Sequence, residues 1–292
     1  MVRLHRILAR LLAVALAGGA VPAAAEPVHP ALWKVSDADT TIYLFGTIHA
    51  LPPGIDWFGG KVESAFDGSD ELVSEIAEDD PVKLQALMIQ YAALPPGQTL
   101  RGKLSHKERA RLEAGLVSLG LPRERFDRTR PWYAAVSLTL LPLLRQGFDR
   151  ANGVEELLDQ RARAAKRPHL ALETAEEQLQ IFAMLPEPVQ RRYLATVLHE
   201  LPTIQAQIDV MIKAWETGDA ERLAKLMNSG EDDPALVGPL LTVRNKAWTA
   251  WIAERMHKPG TVFLAVGAGH LAGPGGVIEL LRARGIASER VR

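Results

Sequence analysis

Two histidines follow the same short pattern, in which an apolar run leads to a glycine, two further residues and the histidine. His49 ends the segment 41–49, and His270 ends the segment 261–270. The apolar runs are rich in β-branched and aromatic residues, which predicts buried strands, and glycine lets the chain turn sharply at a strand end. We therefore expect each histidine just beyond the carboxyl end of a strand, where open α/β sheets bind their ligands.

A third strand end supplies a carboxylate. Glu75 lies near the end of the strand-like run 70–76, so His49, His270 and Glu75 are expected to meet in one crevice if their strands are neighbours. Imidazole and carboxylate groups are common ligands of divalent metals, and such a metal lowers the pKa of its bound water and polarises a carbonyl. The three side chains are therefore candidate metal ligands in a hydrolytic site. Alternatively, one histidine or Glu75 transfers the proton.

Three further polar residues are candidates for the same crevice. Arg244 and Asn245 begin the predicted helix before the second histidine strand, where they would direct a cation and an amide at developing negative charge. Glu173 ends another strand-like run and is a candidate second carboxylate. Structural interpretations compete with these roles, because strand-end histidines and carboxylates often bond to loops or cap helices, and a helical arginine is often a surface charge.

The second histidine segment also fits a competing pattern. Residues 267–272 match a relaxed dinucleotide-binding fingerprint after a strand, and Glu289 lies 20 residues beyond the second glycine. However, Pro274 and the glycines around it delay the helix that would receive the pyrophosphate. The chain has neither a His-Glu-x-x-His zinc motif nor a Gly-x-Ser-x-Gly nucleophile elbow. Nucleotide binding is therefore a third hypothesis behind the two given below.

Residues 1–25 have the composition of a secretory signal. A positively charged start is followed by an apolar stretch and by small residues before Glu26. The apolar stretch is shorter than the roughly 18–20 residues that a membrane-spanning helix needs, and no later segment is apolar for long enough. We expect cleavage after Ala25, a periplasmic or secreted protein, and no stable membrane span after cleavage.

Composition narrows the possible functions. The formal net charge of −1 becomes −4 when the signal is removed, because that segment carries three arginines and no acidic residue. This acidic balance offers no electrostatic basis for nucleic-acid binding. The chain has no cysteine, so disulfides and thiolate ligands are excluded. Any metal must be held by His, Asp, Glu or backbone oxygen.

The order of predicted elements indicates the fold class. A hairpin and a third strand open the domain 26–292, and capping boxes at 105–108 and 174–177 mark two helix starts. Strands recur at 169–173 and 261–266, far apart in the sequence. We predict a single mixed α/β domain with a central mixed sheet, a large helical insertion and an active crevice at the carboxyl ends of the strands.

Several segments together resemble the TraB/GumN family, which is related to the Tiki metalloproteases. They are 46–49, 72–75, 130–132, 172–174 with Gln178, 214–219, 244–245 and 266–271, in family order from about Leu32 to Arg290. The resemblance implies one mixed α/β domain whose active centre is His49, Glu75 and His270, with Arg244 in support. Tiki relatives are peptidases dependent on manganese or cobalt, and the wider fold resembles erythromycin esterase.

The resemblance therefore implies a divalent metal ion, manganese or cobalt rather than zinc, and a peptide or protein substrate. Glu155 departs from the family pattern, because we expect an aspartate at that position. Tiki proteins are also membrane-anchored, whereas this chain has only a predicted cleavable signal, so their substrate is not transferred.

The predicted function is an exported metal-dependent hydrolase, most specifically a peptidase. The alternative is a non-catalytic peptide-binding or regulatory protein that uses the same crevice. The sequence leaves open the substrate, the identity of the metal, the oligomeric state and the roles of Glu155, Glu173 and Asn245.

Overall fold

The computed structural model describes residues 28–77, 80–228 and 233–292, so the predicted signal segment lies outside the described residues. The strands are β1 (Leu32–Ser36), β2 (Thr40–Thr47), β3 (Glu71–Ser74), β4 (His169–Ala171), β5 (Gly260–Gly267) and β6 (Glu289–Arg290). The helices are α1 (Gly60–Asp67), α2 (Pro81–Ala92), α3 (Leu100–Lys103), α4 (His106–Ser118), α5 (Pro131–Arg145), α6 (Val154–Ala164), α7 (Ala175–Ala183), α8 (Glu187–Glu200), α9 (Ile204–Glu216), α10 (Ala220–Asn228), α11 (Pro234–Val237), α12 (Val243–Arg255) and α13 (Val277–Ala283).

All six strands form one mixed sheet, in the order β4-β3-β5-β2-β1-β6. The pairs β4–β3, β3–β5 and β5–β2 are parallel, whereas β1 pairs antiparallel with both β2 and β6. The carboxyl ends of β2, β3, β4 and β5 consequently meet at one edge of the sheet, although these strands come from both ends of the chain. The predicted fold class and crevice-forming topology are confirmed.

The two central strands, β5 and β2, are buried on both faces, which explains their continuous apolar sequences. Successive side chains of a strand point to opposite faces. Ile42 and Leu44 of β2 therefore join a cluster with α12 and α13, while Phe45 joins a second cluster with α1, α6 and α9. This double burial fixes the register of β2 against β5, because a slip of one residue would exchange the two faces.

The helical insertion has its own hydrophobic cluster, built mainly from α4, α5 and α8 around Leu112, Leu138 and Leu194. Both predicted capping boxes are present. The Ser105 hydroxyl accepts from the amide of Glu108, whose carboxylate accepts from the amide of Ser105, and Thr174 and Glu177 repeat the exchange. Among the described residues, no helix combines the length and the apolar character needed to cross a membrane.

The observed strands differ from the predicted runs mainly at their ends. The predicted strand 70–76 is paired only over Glu71–Ser74. Glu75 directly follows the strand, and its carboxylate accepts a hydrogen bond of 2.7 Å from the amide of Gly267, at the end of β5. This contact holds the Glu75 side chain at the edge of the sheet where β2, β3 and β5 end.

Candidate functional site

His49 forms a pair with Glu155, a residue to which the sequence assigned no role. The Nδ1 atom of His49 lies 2.6 Å from Oε1 of Glu155, and the Thr47 hydroxyl donates to the same oxygen at 2.6 Å. The Oε2 atom of Glu155 is buried and has no hydrogen-bond partner among the described residues. The His49 side chain is 73% exposed, so its ring faces solvent while the carboxylate beneath it is held in the protein.

Gly153 allows this pair to form. Its backbone is in an ordinary extended conformation, so its importance is steric rather than conformational. A Cβ atom at this position would lie 2.2 Å from the carbonyl oxygen of His49. The amide of Val154 donates to the carbonyl of Ile48 at 3.1 Å. The start of α6 is thereby held against the segment that follows β2, which brings Glu155 under His49.

The Glu155 charge raises the pKa of His49, because a carboxylate in contact favours the imidazolium form, and this outweighs the opposing effect of partial desolvation by the surrounding cleft. We expect Glu155→Gln to lower the pKa of His49 towards the ordinary value of about 6.5. The measurement is an NMR titration of the His49 ring protons in metal-free buffer. Glu156→Gln is the matched control, since Glu156 lies on the same turn but bonds to Gln160. Equal His49 titrations in both variants would contradict the electrostatic role of Glu155.

Arg244 is the centre of a second, largely buried network. Its Nη2 atom donates to Glu75 at 2.6 Å, and its Nε atom donates to Glu173 at 2.8 Å. The exposed fractions of the Arg244, Glu75 and Glu173 side chains are 12%, 8% and 13%. The guanidinium also lies 4.6 Å from the centre of the Trp248 ring, and the indole N–H of Trp248 donates to Glu173 at 3.0 Å. One cation therefore joins two carboxylates that come from the ends of β3 and β4.

His270 is held at both ring nitrogens. Its Nδ1 atom lies 2.6 Å from Oδ1 of Asn245, which can only accept, so Nδ1 carries a proton. Its Nε2 atom lies 3.0 Å from Nη1 of Arg244, which can only donate, so Nε2 accepts. The two contacts together define a neutral imidazole. Arg244 and Asn245 begin α12, as predicted, and the helix start orients the second histidine.

Burial and neighbouring charges drive the pKa values of this network apart. Burial lowers the pKa of His270 to about 4, with Arg244 and His49 acting in the same direction and Glu75 opposing them. Burial alone would raise the pKa of Glu75, but Arg244, His270, His49 and the amide of Gly267 lower it to about 2. At neutral pH Glu75 is therefore ionised and His270 is neutral.

Small residues at the strand ends allow the close approach of these groups. A Cβ atom on Gly267 would lie 3.1 Å from the Glu75 carboxylate, and one on Gly46 would lie 3.0 Å from Ala268. The indole N–H of Trp215 donates to the carbonyl of Gly46 at 2.8 Å. The lack of a side chain at Gly46 and Gly267 thus allows the neighbouring groups to pack closely at the ends of β2 and β5.

His49 and the network around Arg244 line a common cleft at the carboxyl ends of β2, β3 and β5. A cavity of about 250 Å³ is bordered by His49, Glu75, Arg244 and His270, with apolar walls that include Phe182 and Leu240. Leu240 belongs to a π-helical turn, Gly238–Thr242, that directly precedes α12. Its carbonyl accepts from Arg244 at 3.2 Å. Such turns are rare and occur often at functional sites.

The structure brings all four predicted site residues, His49, Glu75, Arg244 and His270, to this cleft. It gives Glu173 and Asn245 positions behind them, as partners of Arg244 and His270. The sequence missed Glu155 as a partner of His49. The pattern Gly153-Val154-Glu155, a glycine before the first turn of a helix, was the available signal.

Comparison with known proteins identifies the family of the chain. Residues 31–290 match the TraB/PrgY/gumN family. The chain belongs to this family. An uncharacterized protein of Treponema pallidum (strain Nichols) is 22% identical over 285 residues, which cover 92% of this chain and 85% of that protein. The uncharacterized protein YbaP of Escherichia coli (strain K12) is 24% identical over 256 residues, covering 87% and 92%. No solved structure is significantly similar to the chain.

Within this TraB/PrgY/gumN chain, the proposed metal ligands do not fit a metal ion in their present arrangement. Arg244 occupies the space between Glu75 and His270 and uses the His270 lone pair that a metal would need. In the described part of the chain, no group of three or more His, Asp or Glu side chains is arranged to hold a metal. The side chains have suitable chemistry, but Arg244 would have to move before Glu75 and His270 could bind a metal together.

The nucleotide-binding alternative is not favoured by the geometry of the second histidine segment. Gly267 faces the Glu75 carboxylate, which would repel a pyrophosphate. A short 3₁₀ turn, Ala268–His270, follows β5, and α13 begins only at Val277. Glu289 pairs with Lys34 at 2.7 Å instead of facing the cleft. These contacts explain the glycines and Glu289 without a bound ribose.

Proposed function

We propose that this TraB/PrgY/gumN protein is an exported hydrolase, most specifically a peptidase that acts on an extracytoplasmic peptide or protein. One observation carries the proposal. A solvent-facing histidine with a carboxylate partner and a buried carboxylate–arginine–histidine network border the same cleft. A proton-transfer group and a fixed cation on one cavity are the elements that the hydrolysis of a carbonyl compound needs.

His49 is the proposed proton-transfer group. Glu155 accepts from Nδ1 and fixes the ring, which leaves Nε2 for water or for the leaving group. Since Glu155 raises the pKa of His49 to about 9, the imidazolium form predominates at neutral pH, and the neutral, basic form becomes populated as the pH rises towards that value. If His49 removes a proton from water in the rate-limiting step, the rate should increase with pH across the range in which His49 titrates.

Arg244 is the proposed electrophilic group. Among the described residues, four of its five N–H donors have partners, on Glu173, Leu240, His270 and Glu75, which leaves one N–H for a substrate oxygen. The surrounding contacts prevent the guanidinium from reorganising as negative charge develops, which is the condition for effective electrostatic stabilisation. Asn245 and Glu173 then act as positioning residues for His270 and Arg244.

The divalent metal ion, manganese or cobalt rather than zinc, stays part of the proposal as a cofactor to be tested. Arg244 forms hydrogen bonds with both Glu75 and His270. The roles proposed for His49 and Arg244 therefore do not depend on a metal. Metal analysis of the purified protein and of the His49→Ala variant tests the cofactor directly. Near-stoichiometric manganese or cobalt that is lost in His49→Ala would support a site at His49 and would require Arg244 to leave its position.

The activity test uses purified protein and a peptide library, with cleavage followed by mass spectrometry. Reactions are run with chelator and with added manganese, cobalt or zinc. We expect His49→Ala and His270→Gln to lower the cleavage rate by about 100-fold or more, because the first removes the proposed proton-transfer group and the second removes the imidazole that accepts from Arg244 at the cavity wall. His257→Ala is the control, since that histidine is exposed and does not line the cavity.

Two results would contradict the proposed hydrolase. One is the absence of cleavage under all metal conditions, and the other is cleavage that His270→Gln leaves unchanged. Export is tested separately by the mass of the protein recovered outside the cytoplasm, which should begin at Glu26. A recovered protein that retains residues 1–25 would contradict the proposed signal.

A non-catalytic peptide-binding role is the second candidate, and one observation favours it. Both oxygens of Glu75 and both nitrogens of His270 already have protein partners. A network satisfied in this way resembles a structural support for a binding cleft. Stoichiometric peptide binding in calorimetry, without turnover and unaffected by chelator, would favour this role over hydrolysis.

A further inference from the structure

We propose that this chain has a second hydrolytic centre, formed by Ser74, His169 and Asp159, with Ser74 as the nucleophile toward a carboxylic ester. The Ser74 hydroxyl lies 2.7 Å from Nε2 of His169. The Nδ1 atom of His169 lies 2.9 Å from Oδ1 of Asp159. Serine, imidazole and carboxylate thus form one continuous chain of hydrogen bonds, the arrangement that activates a hydroxyl nucleophile on several unrelated folds.

The strands place this centre on the opposite face of the sheet from Arg244. Successive residues of an extended chain point in opposite directions, so Ser74 contacts His169 while the adjacent Glu75 contacts Arg244. His169 pairs with Leu72 in the parallel ladder between β3 and β4, two residues before Ser74. Asp159 reaches the same face from α6. Sheet register and one packed helix therefore determine the geometry.

The hydrogen bonds define where the protons lie. A carboxylate only accepts, so Nδ1 of His169 carries the proton that Asp159 accepts. In the neutral imidazole, Nε2 then has a free lone pair directed at the Ser74 hydroxyl. The hydroxyl also lies 2.8 Å from the carbonyl oxygen of Ile76, so rotation about one bond transfers its hydrogen bond between that oxygen and His169.

The centre opens onto a cavity large enough for an acyl group. A volume of about 510 Å³ is lined by Ser74, His169 and Asp159, and Arg150 also lines it. The side chains of His169 and Asp159 remain 16% and 18% exposed, whereas Ser74 is 2% exposed, so a substrate would reach the Ser74 hydroxyl through this cavity. The cavity also borders His49 and Glu75, but the chemistry at Ser74 does not depend on their proposed roles.

The reaction balances with water as the only co-reactant. The Ser74 oxygen bonds to the ester carbonyl carbon and its proton passes to Nε2 of His169. The carbon–oxygen bond to the leaving alcohol then breaks, and the alcohol takes that proton. Water next bonds to the acyl carbon and gives a proton to Nε2, and the carbon–oxygen bond to Ser74 breaks as Ser74 regains the proton. Asp159 positions the imidazole throughout.

The first test is covalent labelling of the full chain with a fluorophosphonate, followed by intact mass and peptide mapping. We expect one adduct on Ser74. It should be absent in Ser74→Ala and formed at least about 100-fold more slowly in His169→Gln. Ser69→Ala is the matched control, because Ser69 is similarly buried and its hydroxyl donates to the carbonyl of Ala65 rather than to an imidazole. Labelling should also persist in His270→Gln, which separates this centre from the hydrolase proposed above.

The second test uses the absence of cysteine from the chain. Ser74→Cys introduces a single thiol at the same position, so alkylation by iodoacetamide reports on that residue alone. We expect alkylation to be at least about tenfold faster than in Ser74→Cys combined with His169→Gln, because the imidazole removes the thiol proton. Asp159→Asn should slow the reaction and Asp159→Glu should partly restore it, with circular dichroism showing that each variant is folded.

Two results would overturn the proposal. One is a folded wild-type protein that gives no fluorophosphonate adduct on Ser74 even at saturating probe. The other is a Ser74→Cys thiol whose alkylation rate does not change with residue 169 or residue 159. Either result would mean that the three side chains form a structural hydrogen-bond chain between α6 and the sheet.

Discussion

Replacing Arg244 with alanine should lower the free energy of unfolding by about 3–5 kcal/mol, because it leaves two largely buried carboxylates without their counter-ion. Glu75 and Glu173 would then face each other across the space that the guanidinium had filled. The packing of the guanidinium against Trp248 would also be lost. Urea denaturation followed by circular dichroism measures the change.

Two further variants test whether the loss of stability comes from the unpaired carboxylates. Arg192→Ala is the control, since that arginine is 57% exposed and pairs with Asp233 at the surface, and its loss should cost less than about 1 kcal/mol. Glu75→Gln in the Arg244→Ala background should recover about 1–3 kcal/mol, because it removes one of the two unpaired charges. If the two arginine substitutions cost the same, the buried network does not hold the strand ends together.

Replacing Gly153 with alanine should lower the free energy of unfolding by about 1–3 kcal/mol through overpacking. The added Cβ would lie 2.2 Å from the carbonyl oxygen of His49 and 2.8 Å from that of Arg150, so the start of α6 must move away from the end of β2. This movement separates Glu155 from His49. The pKa of His49 should therefore fall in the same variant, which NMR titration measures.

The control for this substitution is Gly59→Ala. Gly59 also caps the start of a helix in an extended conformation, but a Cβ there meets nothing within 4 Å. The free energy of unfolding of the Gly59→Ala protein and the pKa of its His49 should both stay close to the wild-type values. A Gly153→Ala protein with unchanged stability and unchanged His49 titration would show that the close approach of α6 is not required.

Periodicity and local chemistry were sufficient to predict the main elements. The long apolar runs of β2 and β5 are typical of strands buried on both faces, and the two capping boxes begin α4 and α7 as predicted. His49 and His270 were also predictable, because glycine after an apolar run marks the point where a strand ends, and Glu75 was predictable from its position near the end of the strand-like run 70–76. Each of these signals lies within a few neighbouring residues.

The partners of these residues could not be predicted from local signals. Glu155 lies 106 positions after His49, and Arg244 lies 169 positions after Glu75. Ser74, His169 and Asp159 belong to no recognisable sequence motif, although they form one hydrogen-bonded chain. The sequence predicted His49, Glu75 and His270 together as metal ligands. Only the structure showed that Arg244 is hydrogen-bonded to two of them, Glu75 and His270.

By itself, the sequence determined which residues end the strands of this TraB/PrgY/gumN chain, since those choices depend on conformational preferences and burial patterns that extend over a few residues. Only the tertiary structure decided which side chains became partners. Pairing depends on the order of strands in the sheet and on which helix packs against each face. Both depend on contacts between segments that are distant in the sequence, such as β3 with β4 and β2 with β5.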